Sequence, residues 1–166
     1  MATDTTDLLI RPIGTIHSPF VQQAGTPTQP RSSPGSEGRV SVLPEFAAGL
    51  LDLQGFERIW LLYWFDRAKA PELAVIPYRD TQPHGLFATR VPSRINPIGI
   101  STVRLLSVDG ADLRVGEIDI LDGTPLIDIK PYVPEFDAYP EAYLGWLAKA
   151  PAVHGPVRAD GRFAKL

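Results

Sequence analysis

Seventeen prolines are spread through the 166 residues of this chain. Proline fixes φ and has no amide hydrogen to donate, so it ends a regular element or confines a strand to an edge. This argues against long helices and against a doubly wound parallel sheet, whose crossover connections need longer unbroken runs. The chain is therefore predicted to be mainly β, with many short strands and a few short helices that form a small barrel.

The composition is that of an ordinary globular domain, with 44% apolar and 21% charged residues. We predict one domain over residues 1–166, with a core at about 8–137 and a C-terminal helix and tail over 138–166. The net charge of −3 gives no general attraction for nucleic acid. An RNA partner would therefore require a local basic patch.

Several chemistries are disfavoured by what the sequence lacks. Without cysteine there is no disulfide, no thiolate zinc site and no cysteine nucleophile. The histidines His17, His84 and His154 show no metal-ligand spacing, so no metal is predicted. No apolar run approaches the ~20 residues of a membrane span, and the polar start Met1–Asp7 resembles no targeting segment. We expect a cytoplasmic protein. The sequence has no Ser-His-Asp order, no phosphate-binding glycine loop and no Gly-rich dinucleotide fingerprint.

Alternation and turn residues predict a series of short strands. The clearest hairpin joins Ile98–Val108 to Asp112–Val115, because Asp109-Gly110 supplies the positive φ values of a tight turn. The aromatic run Phe56–Phe65 is nearly continuous in apolar residues and predicts a strand buried on both faces. The other predicted strands are Leu8–His17, Arg39–Leu43, Gly85–Thr89, Ile118–Leu121 and Leu126–Ile129.

Two short helices and two irregular segments complete the prediction. Pro44–Leu50 begins with proline and is predicted to be a short helix. Tyr139–Lys149 has apolar residues at helical spacing and is predicted to be a second helix. The proline-rich stretch Gln22–Gly38 is predicted to be a binding loop. The end of the chain, Gly155–Leu166, is expected either to be frayed or to pair with the edge of a sheet (the edge-seeking alternative).

The stretch Phe87–Ser101 combines arginines with prolines between two predicted strands. Residues before Pro92 and Pro97 favour extended conformations, which makes the loop stiff. A stiff loop can hold a polar ligand at a low entropic cost, and Arg90 and Arg94 can each bind a carboxylate or phosphate through paired hydrogen bonds. The same residues are also compatible with a structural turn that carries surface arginines.

The stretch Ile118–Tyr132 carries more acidic residues than its apolar neighbours would suggest. Asp119, Asp122 and Asp128 need partners, since an unpaired buried charge is costly. The candidates are Lys130, which alternation places on the same face as Asp128, the loop arginines, or a cationic ligand group. Either a structural ion pair or a ligand site would satisfy them. We expect this stretch and the arginine loop to form one small-molecule site.

The wording of these two stretches, ATRVPSRINPIGIS and then DILDGTPLIDIKPY, resembles the signature of the TsaA/TrmO-like family, also called YaeB-like. The resemblance continues upstream in IGTIHSPF, GRVSVLPEFAAGL and GFERIWLLYW and covers roughly Ile10 to Asp137. It implies a small β-barrel that binds S-adenosylmethionine, typically as a homodimer with the site near the subunit contact. Characterised members methylate N6 of threonylcarbamoyl-adenosine next to the tRNA anticodon, so tRNA, through its anticodon loop, is the implied partner.

The resemblance places cofactor contacts in four segments of this chain. They are Pro27, Thr28 and Gln29; Phe65 and Asp66; Arg90, Asn96 and Ile100; and Leu121, Asp122, Gly123 and Thr124. Arg90 suits the cofactor's carboxylate, an aspartate its ammonium, and Leu121 and Ile100 its adenine. The acceptor nitrogen must lose a proton, so a base is expected. The catalytic candidates around the acceptor are Asp128, Lys130 and Tyr132, and the alternative is a structural polar cluster beside the cofactor.

The chain departs from the family pattern in several places. Ile95 replaces a proline, Thr28 replaces an arginine although Arg31 is close by, and Asp66 replaces a histidine. Longer bacterial members carry an extra C-terminal domain that is thought to help hold tRNA, and this chain ends soon after the predicted barrel. This weakens the expectation of tRNA as substrate and leaves that of the cofactor unchanged.

Two other functions remain open on the sequence. One is a methyltransferase that acts on a small molecule or another nucleoside. The other is an S-adenosylmethionine-binding sensor without turnover. An RNA substrate predicts that basic side chains gather at the mouth of the cofactor site; the candidates are Arg31, Arg39, Arg67, Lys69, Arg90 and Arg94.

Overall fold

The structure, a computed structural model, describes residues 8–152 and 154–164. Its strands are β1 Gly14–His17, β2 Glu37–Val42, β3 Arg58–Trp64, β4 Ala74–Val75, β5 His84–Gly85, β6 Ile98–Asp109, β7 Asp112–Gly116 and β8 Thr124–Pro131. Six of them close into an antiparallel barrel in the order β1-β2-β7-β6-β3-β8, and β4 pairs with β5 in a separate ribbon. The prediction of a mainly β barrel is confirmed.

The helices are all short, as the prolines predict. One α-helical turn, α1, covers Pro134–Asp137, and the 3₁₀ helices are Pro30–Ser32, Pro44–Leu50, Leu53–Gly55, Leu86–Ala88 and Gly145–Lys149. The predicted short helix at Pro44–Leu50 is confirmed, with proline in its first turn. Within the described ranges, no helix is long and apolar enough to cross a membrane.

The core fills the inside of the barrel, and β3 shows how. Its burial alternates, with Ile59, Leu61 and Tyr63 buried and the residues between them only half-buried. The prediction that this strand is buried on both faces is therefore wrong, because a closed barrel has a single interior face. The outer aromatics pack on the barrel surface instead; the Trp60 ring lies edge-on to Tyr132 at 5.7 Å between centroids.

The β6–β7 hairpin forms where it was predicted, with its turn one residue later. Asp109 pairs with Asp112, so Gly110 and Ala111 are the two loop residues. Gly110 has φ +59°, whereas Ala111 has a negative φ. Glycine at the first central position alone is typical of a type II′ turn, whose twist matches that of the strands.

The other strand predictions are only partly correct. The first strand begins at Gly14, and β2 lies within one or two residues of its predicted bounds. Ile118–Leu121 is not a strand, because the hydroxyl groups of Ser33, Ser36 and Ser18 bond its carbonyl oxygens in place of a neighbouring strand. Gly85–Thr89 is mostly a 3₁₀ turn, closed by hydrogen bonds from Thr89 to the carbonyl of Leu86.

The end of the chain is less helical and better packed than predicted. Tyr139–Lys149 is helical only in its last five residues, because Pro140 and the positive φ of Gly145 (+58°), where the short helix begins, prevent a longer one. The described part of the tail is not frayed. Arg158 bridges to Pro27, Ala164 bridges to Ala68, and Phe163 is buried beside Val75, Leu86 and Val91. The described tail therefore pairs with other segments, but through isolated bridges outside the named strands rather than along a sheet edge.

Candidate functional site

A cavity of about 890 Å³ lies at one end of the barrel. Its wall includes the end of β3, the start of β6 and the start of β8, together with the proline-rich loop, the arginine loop and parts of the C-terminal segment. This volume falls within the roughly 300–1,000 Å³ of small-molecule sites. The arginine loop and the acidic stretch both contribute to the wall, so the structure brings together the two segments that were expected to form one site.

Nine of the twelve predicted cofactor contacts line this cavity. They are Pro27, Thr28, Gln29, Phe65, Asp66, Arg90, Ile100, Leu121 and Thr124. They come from four separate segments of the sequence, and only closure of the barrel makes them neighbours. This convergence is the main structural support for a ligand site.

The other three predicted contacts lie outside the cavity wall. Asn96 is exposed, and its carbonyl accepts a hydrogen bond from the Ile98 amide. Asp122 Oδ1 accepts a hydrogen bond from the Ser18 amide at 3.1 Å, and the Gly123 amide donates to the Ile16 carbonyl. With φ +78° at Gly123, these two residues form the turn into β8. These contacts indicate that the two residues hold the backbone next to the cavity wall without facing the cavity.

The predicted catalytic residues do not line the cavity either. Asp128 and Lys130 form an ion pair at 3.0 Å on one face of β8, as alternation predicts. Asp128 belongs to a separate, smaller cavity, and Tyr132 packs against Trp60. The structure therefore brings these residues near one another but not near the large cavity, and their catalytic role stays a prediction.

The cavity is rich in arginine. Arg67, Arg79, Arg90 and Arg94 line it, whereas Arg31, Arg39 and Lys69 do not. Thus three of the six basic residues expected at the mouth are there, and Arg79 is an addition. In the part of the chain that the structure describes, no group of three or more His, Asp or Glu side chains could hold a metal ion.

These arginines differ in what they bind. Arg67 donates to the Asp122 carbonyl at 2.8 Å, and Arg94 donates to the Thr89 carbonyl at 2.9 Å, so both stabilise loops. Among the residues that the structure describes, the exposed Arg90 donates only a long hydrogen bond, 3.3 Å, to the neutral amide oxygen of Gln29. A ligand carboxylate would be a stronger partner for its guanidinium.

Asp119 is the most unusual polar group in the wall. Its Oδ1 is buried and has no hydrogen-bond partner among the described residues. Burial raises the pKa of Asp119 to about 7, and a hydrogen bond from the Ser101 hydroxyl offsets part of the rise. In the sequence this aspartate stands between Ile118 and Ile120, and the structure buries both isoleucines. That the aspartate faces a cavity is visible only in the structure.

Part of the cavity wall comes from residues for which the sequence predicted no role in the site. Trp146 donates from Nε1 to the Ala88 carbonyl at 2.8 Å and stacks on His84 at 4.3 Å between ring centroids. His84 is in turn 2.9 Å from Asp80. Ala159 and Ala164 of the tail also line the cavity. These contacts join segments far apart in sequence, and no local pattern predicts them.

Comparisons with known proteins agree with this geometry. Residues 15–138 match the family model described as the tRNA-methyltransferase O N-terminal domain. The chain is 52% identical over 156 residues to a probable S-adenosyl-L-methionine-binding protein of Pyrococcus abyssi, covering 94% of this chain and 85% of that protein.

More distant relatives carry an enzyme name. The chain is 32% identical over 155 residues to the tRNA (adenine(37)-N6)-methyltransferase of Escherichia coli, covering 84% of this chain and 64% of that protein. The crystal structure of TrmO from Pseudomonas aeruginosa superposes with a TM-score of 0.72 at 37% identity, covering 84% of this chain and 62% of the other. The chain thus spans less than two thirds of these two longer proteins.

Proposed function

The chain belongs to the family of the tRNA-methyltransferase O N-terminal domain, and we propose that it transfers a methyl group from S-adenosylmethionine to N6 of adenine 37 in tRNA. The observation that carries this proposal is the convergence of Pro27, Phe65, Arg90 and Leu121, each from a different segment, on one cavity. The names of the relatives in Pyrococcus abyssi and Escherichia coli support the cofactor and the reaction, respectively.

The residues of the cavity suit S-adenosylmethionine. The volume of about 890 Å³ is sufficient for a ligand of this size. Phe65, Ile100 and Leu121 supply apolar surface for an adenine ring, and Arg90 supplies a guanidinium for a carboxylate. When bound, the cofactor supplies a methyl group activated by a sulfonium, while the protein supplies binding, orientation and electrostatics.

We assign contact roles to the nine lining residues and supporting roles to the remaining three. The turn at Asp122 and Gly123 places Leu121 and Thr124 in the wall, because Arg67 donates to both the Asp122 carbonyl and Thr124 Oγ1. Asn96 supports the start of β6 through its carbonyl bond to the Ile98 amide. Loss of either support would shift the wall without removing a direct contact.

We further propose that the adenine carries a threonylcarbamoyl substituent. Such a substituent ends in a carboxylate, and an arginine at the mouth could bind it in a charge-assisted hydrogen bond. Arg79 lines the cavity and is exposed, and unlike Arg90 it is not one of the predicted cofactor contacts. An Arg79→Ala change should therefore weaken the preference for threonylcarbamoyl-adenosine over unmodified adenosine.

The homodimer expected from the family is likewise a proposal. Apolar side chains that line the cavity are partly exposed, with Phe87 78%, Ile100 46% and Ile98 37% exposed. A second copy packed here would remove this surface from water, and larger exposed apolar patches commonly mark interfaces. We also propose a cytoplasmic location, where a tRNA-modifying enzyme would meet its substrate.

The proposal is tested by calorimetric titration with S-adenosylmethionine together with a methyl-transfer assay on tRNA. Arg90→Ala should weaken binding of the cofactor by about tenfold or more, which is the order of a lost charge-assisted hydrogen bond. Arg104→Ala is the matched control, since Arg104 is exposed on β6 and does not line the cavity. Binding without transfer to any tRNA would indicate a binding protein, and the absence of binding would contradict the proposal.

A further inference from the structure

Asp119 is a carboxyl group for which neither the fold nor the cofactor contacts account. It lines the cavity between Ile118 and Ile120, whose side chains are buried in the barrel. Its Oδ1 is buried yet, among residues 8–152 and 154–164, accepts no hydrogen bond. A buried acceptor without a donor is destabilising, and such groups in folded proteins call for an explanation such as a catalytic role.

The charged neighbours leave this carboxyl without an ion pair. Tyr63 on β3 and Ser101 on β6 face it. The positive charge of Arg90 acts on the Tyr63 phenol and lowers its pKa slightly against the effect of burial. In the described part of the chain, no lysine or arginine forms a salt bridge with Asp119. The other charged groups lining the cavity are Asp66, Arg67, Arg79 and Arg94. Because burial is then the largest effect, the pKa of about 7 lets this group accept a proton near neutral pH.

A pair of buried hydroxyl groups holds the carboxyl in place. The Tyr63 and Ser101 hydroxyl oxygens are 3.0 Å apart, and the Ser101 hydroxyl bonds toward Asp119. Burial raises the pKa of Tyr63 far above its ordinary value, so its phenol stays protonated. Neither hydroxyl is suited to accept a proton itself, and both are positioned to orient the Asp119 carboxyl.

We infer that Asp119 is the catalytic base that takes the proton from the acceptor nitrogen, an inference that rests on the proposed methyltransferase function. The nitrogen lone pair forms the new bond to the methyl carbon as the sulfur–carbon bond breaks and its electron pair stays on sulfur. The N–H proton passes to the Asp119 carboxylate, which becomes a neutral acid. The positive charge of the sulfonium and the negative charge of the carboxylate both disappear, which the burial of Asp119 favours.

The test compares Asp119→Asn with the wild type and with Asp109→Asn, a control at an exposed aspartate that ends β6 and does not line the cavity. Asparagine keeps the shape of the side chain but stays neutral at every pH. At saturating S-adenosylmethionine, the wild-type rate of single-turnover transfer should rise with pH and level off above about 7. Asp119→Asn should lower this rate by about 100-fold or more, while calorimetry shows cofactor affinity changed by less than about threefold.

A second variant keeps the base and moves its pKa. Ser101→Ala removes the hydrogen bond that lowers the pKa of Asp119, so the midpoint of the pH–rate curve should shift upward. In the ligand-free wild type, the Asp119 carboxyl carbon followed by NMR should titrate near pH 7. In Ser101→Ala the midpoint of this titration should also move to higher pH.

Three results would overturn the inference. An Asp119→Asn protein with the wild-type rate would show that the carboxyl does not accept the proton. A loss of cofactor affinity matching the loss of rate would show a ligand anchor. Titration of the carboxyl in its ordinary acidic range would show that it is too weak a base to hold the proton near neutral pH. A wild-type protein that binds the cofactor and methylates no tRNA would instead refute the proposed function itself.

Discussion

The Tyr63 hydroxyl lies 3.0 Å from Ser101 Oγ, joining β3 to β6 on the inner face of the barrel. Both residues are almost fully buried, at 4% and 2% exposure. Because this pair stands between the barrel core and the Asp119 carboxyl, it links the stability of the fold to the chemistry of the cavity. Each hydroxyl is a buried polar group that would be destabilising without its hydrogen-bond partner.

Removing one hydroxyl of this pair should reduce stability by a modest amount. Tyr63→Phe keeps the ring in the core and leaves Ser101 with fewer partners. We expect the free energy of unfolding to fall by about 0.5–1.5 kcal/mol in urea titrations. Tyr132→Phe is the matched control, since Tyr132 packs on the outer surface against Trp60. The free energy of unfolding of this variant should equal that of the wild type. Equal effects of the two changes would contradict this role for the pair.

Gly99 should tolerate no side chain. A Cβ at this position would overlap Tyr63 Cε2, so the buried ring would have to move. We expect Gly99→Ala to lower the free energy of unfolding by about 1–3 kcal/mol, measured by chemical denaturation. Gly49→Ala is the control, because a Cβ there meets nothing within 4 Å. A Gly99→Ala protein as stable as this control would show that the Tyr63 ring is not fixed against the strand.

Asp119 should make stability depend on pH. Its pKa is about 7 when folded and about 3.9 when unfolded. The folded state therefore binds more protons between these values, and stability falls as pH rises through this window. The slope is at most about 1.4 kcal/mol per pH unit. Denaturation across this range should show the decline in the wild type, and the difference from Asp119→Asn isolates the group. Identical pH profiles for the two proteins would contradict the raised pKa.

Trp146 should help to retain a bound ligand. Its stacking on His84 and its hydrogen bond to Ala88 hold the C-terminal segment against the cavity. We expect Trp146→Ala to weaken S-adenosylmethionine binding by about 3–10-fold in calorimetry, the order of one aromatic pair. Tyr143→Ala in the same segment is the control, because Tyr143 is fully exposed. If both variants bind like the wild type, the segment does not close the cavity.

The sequence predicts much of the barrel and most of the cavity wall. Alternation and a glycine turn were sufficient for the β6–β7 hairpin, because these signals are local. The resemblance to a family located Arg90 and Leu121, which line the cavity. Alternation also paired Asp128 with Lys130, but it says which face a residue takes and not which end of the barrel it reaches.

What the sequence did not predict depends on contacts between distant segments. The tail pairs through Arg158 and Ala164 with partners more than ninety residues away in sequence, and no periodicity reports such a pairing. The sequence indicates that Asp119 needs a partner, since an unpaired buried charge is costly. That its carboxyl would face a cavity without one follows only from how Ser101 and Tyr63 come together in the barrel.

The most direct test of the central claim is methyl transfer to tRNA followed by nucleoside analysis. Purified protein would be incubated with S-adenosylmethionine labelled in its methyl group and with tRNA isolated from cells that lack this methylation. The account predicts label on N6 of the adenine at position 37, and about tenfold less label with Arg90→Ala at limiting cofactor. Wild-type protein that leaves all tRNA unlabelled, or that labels another position, would contradict it.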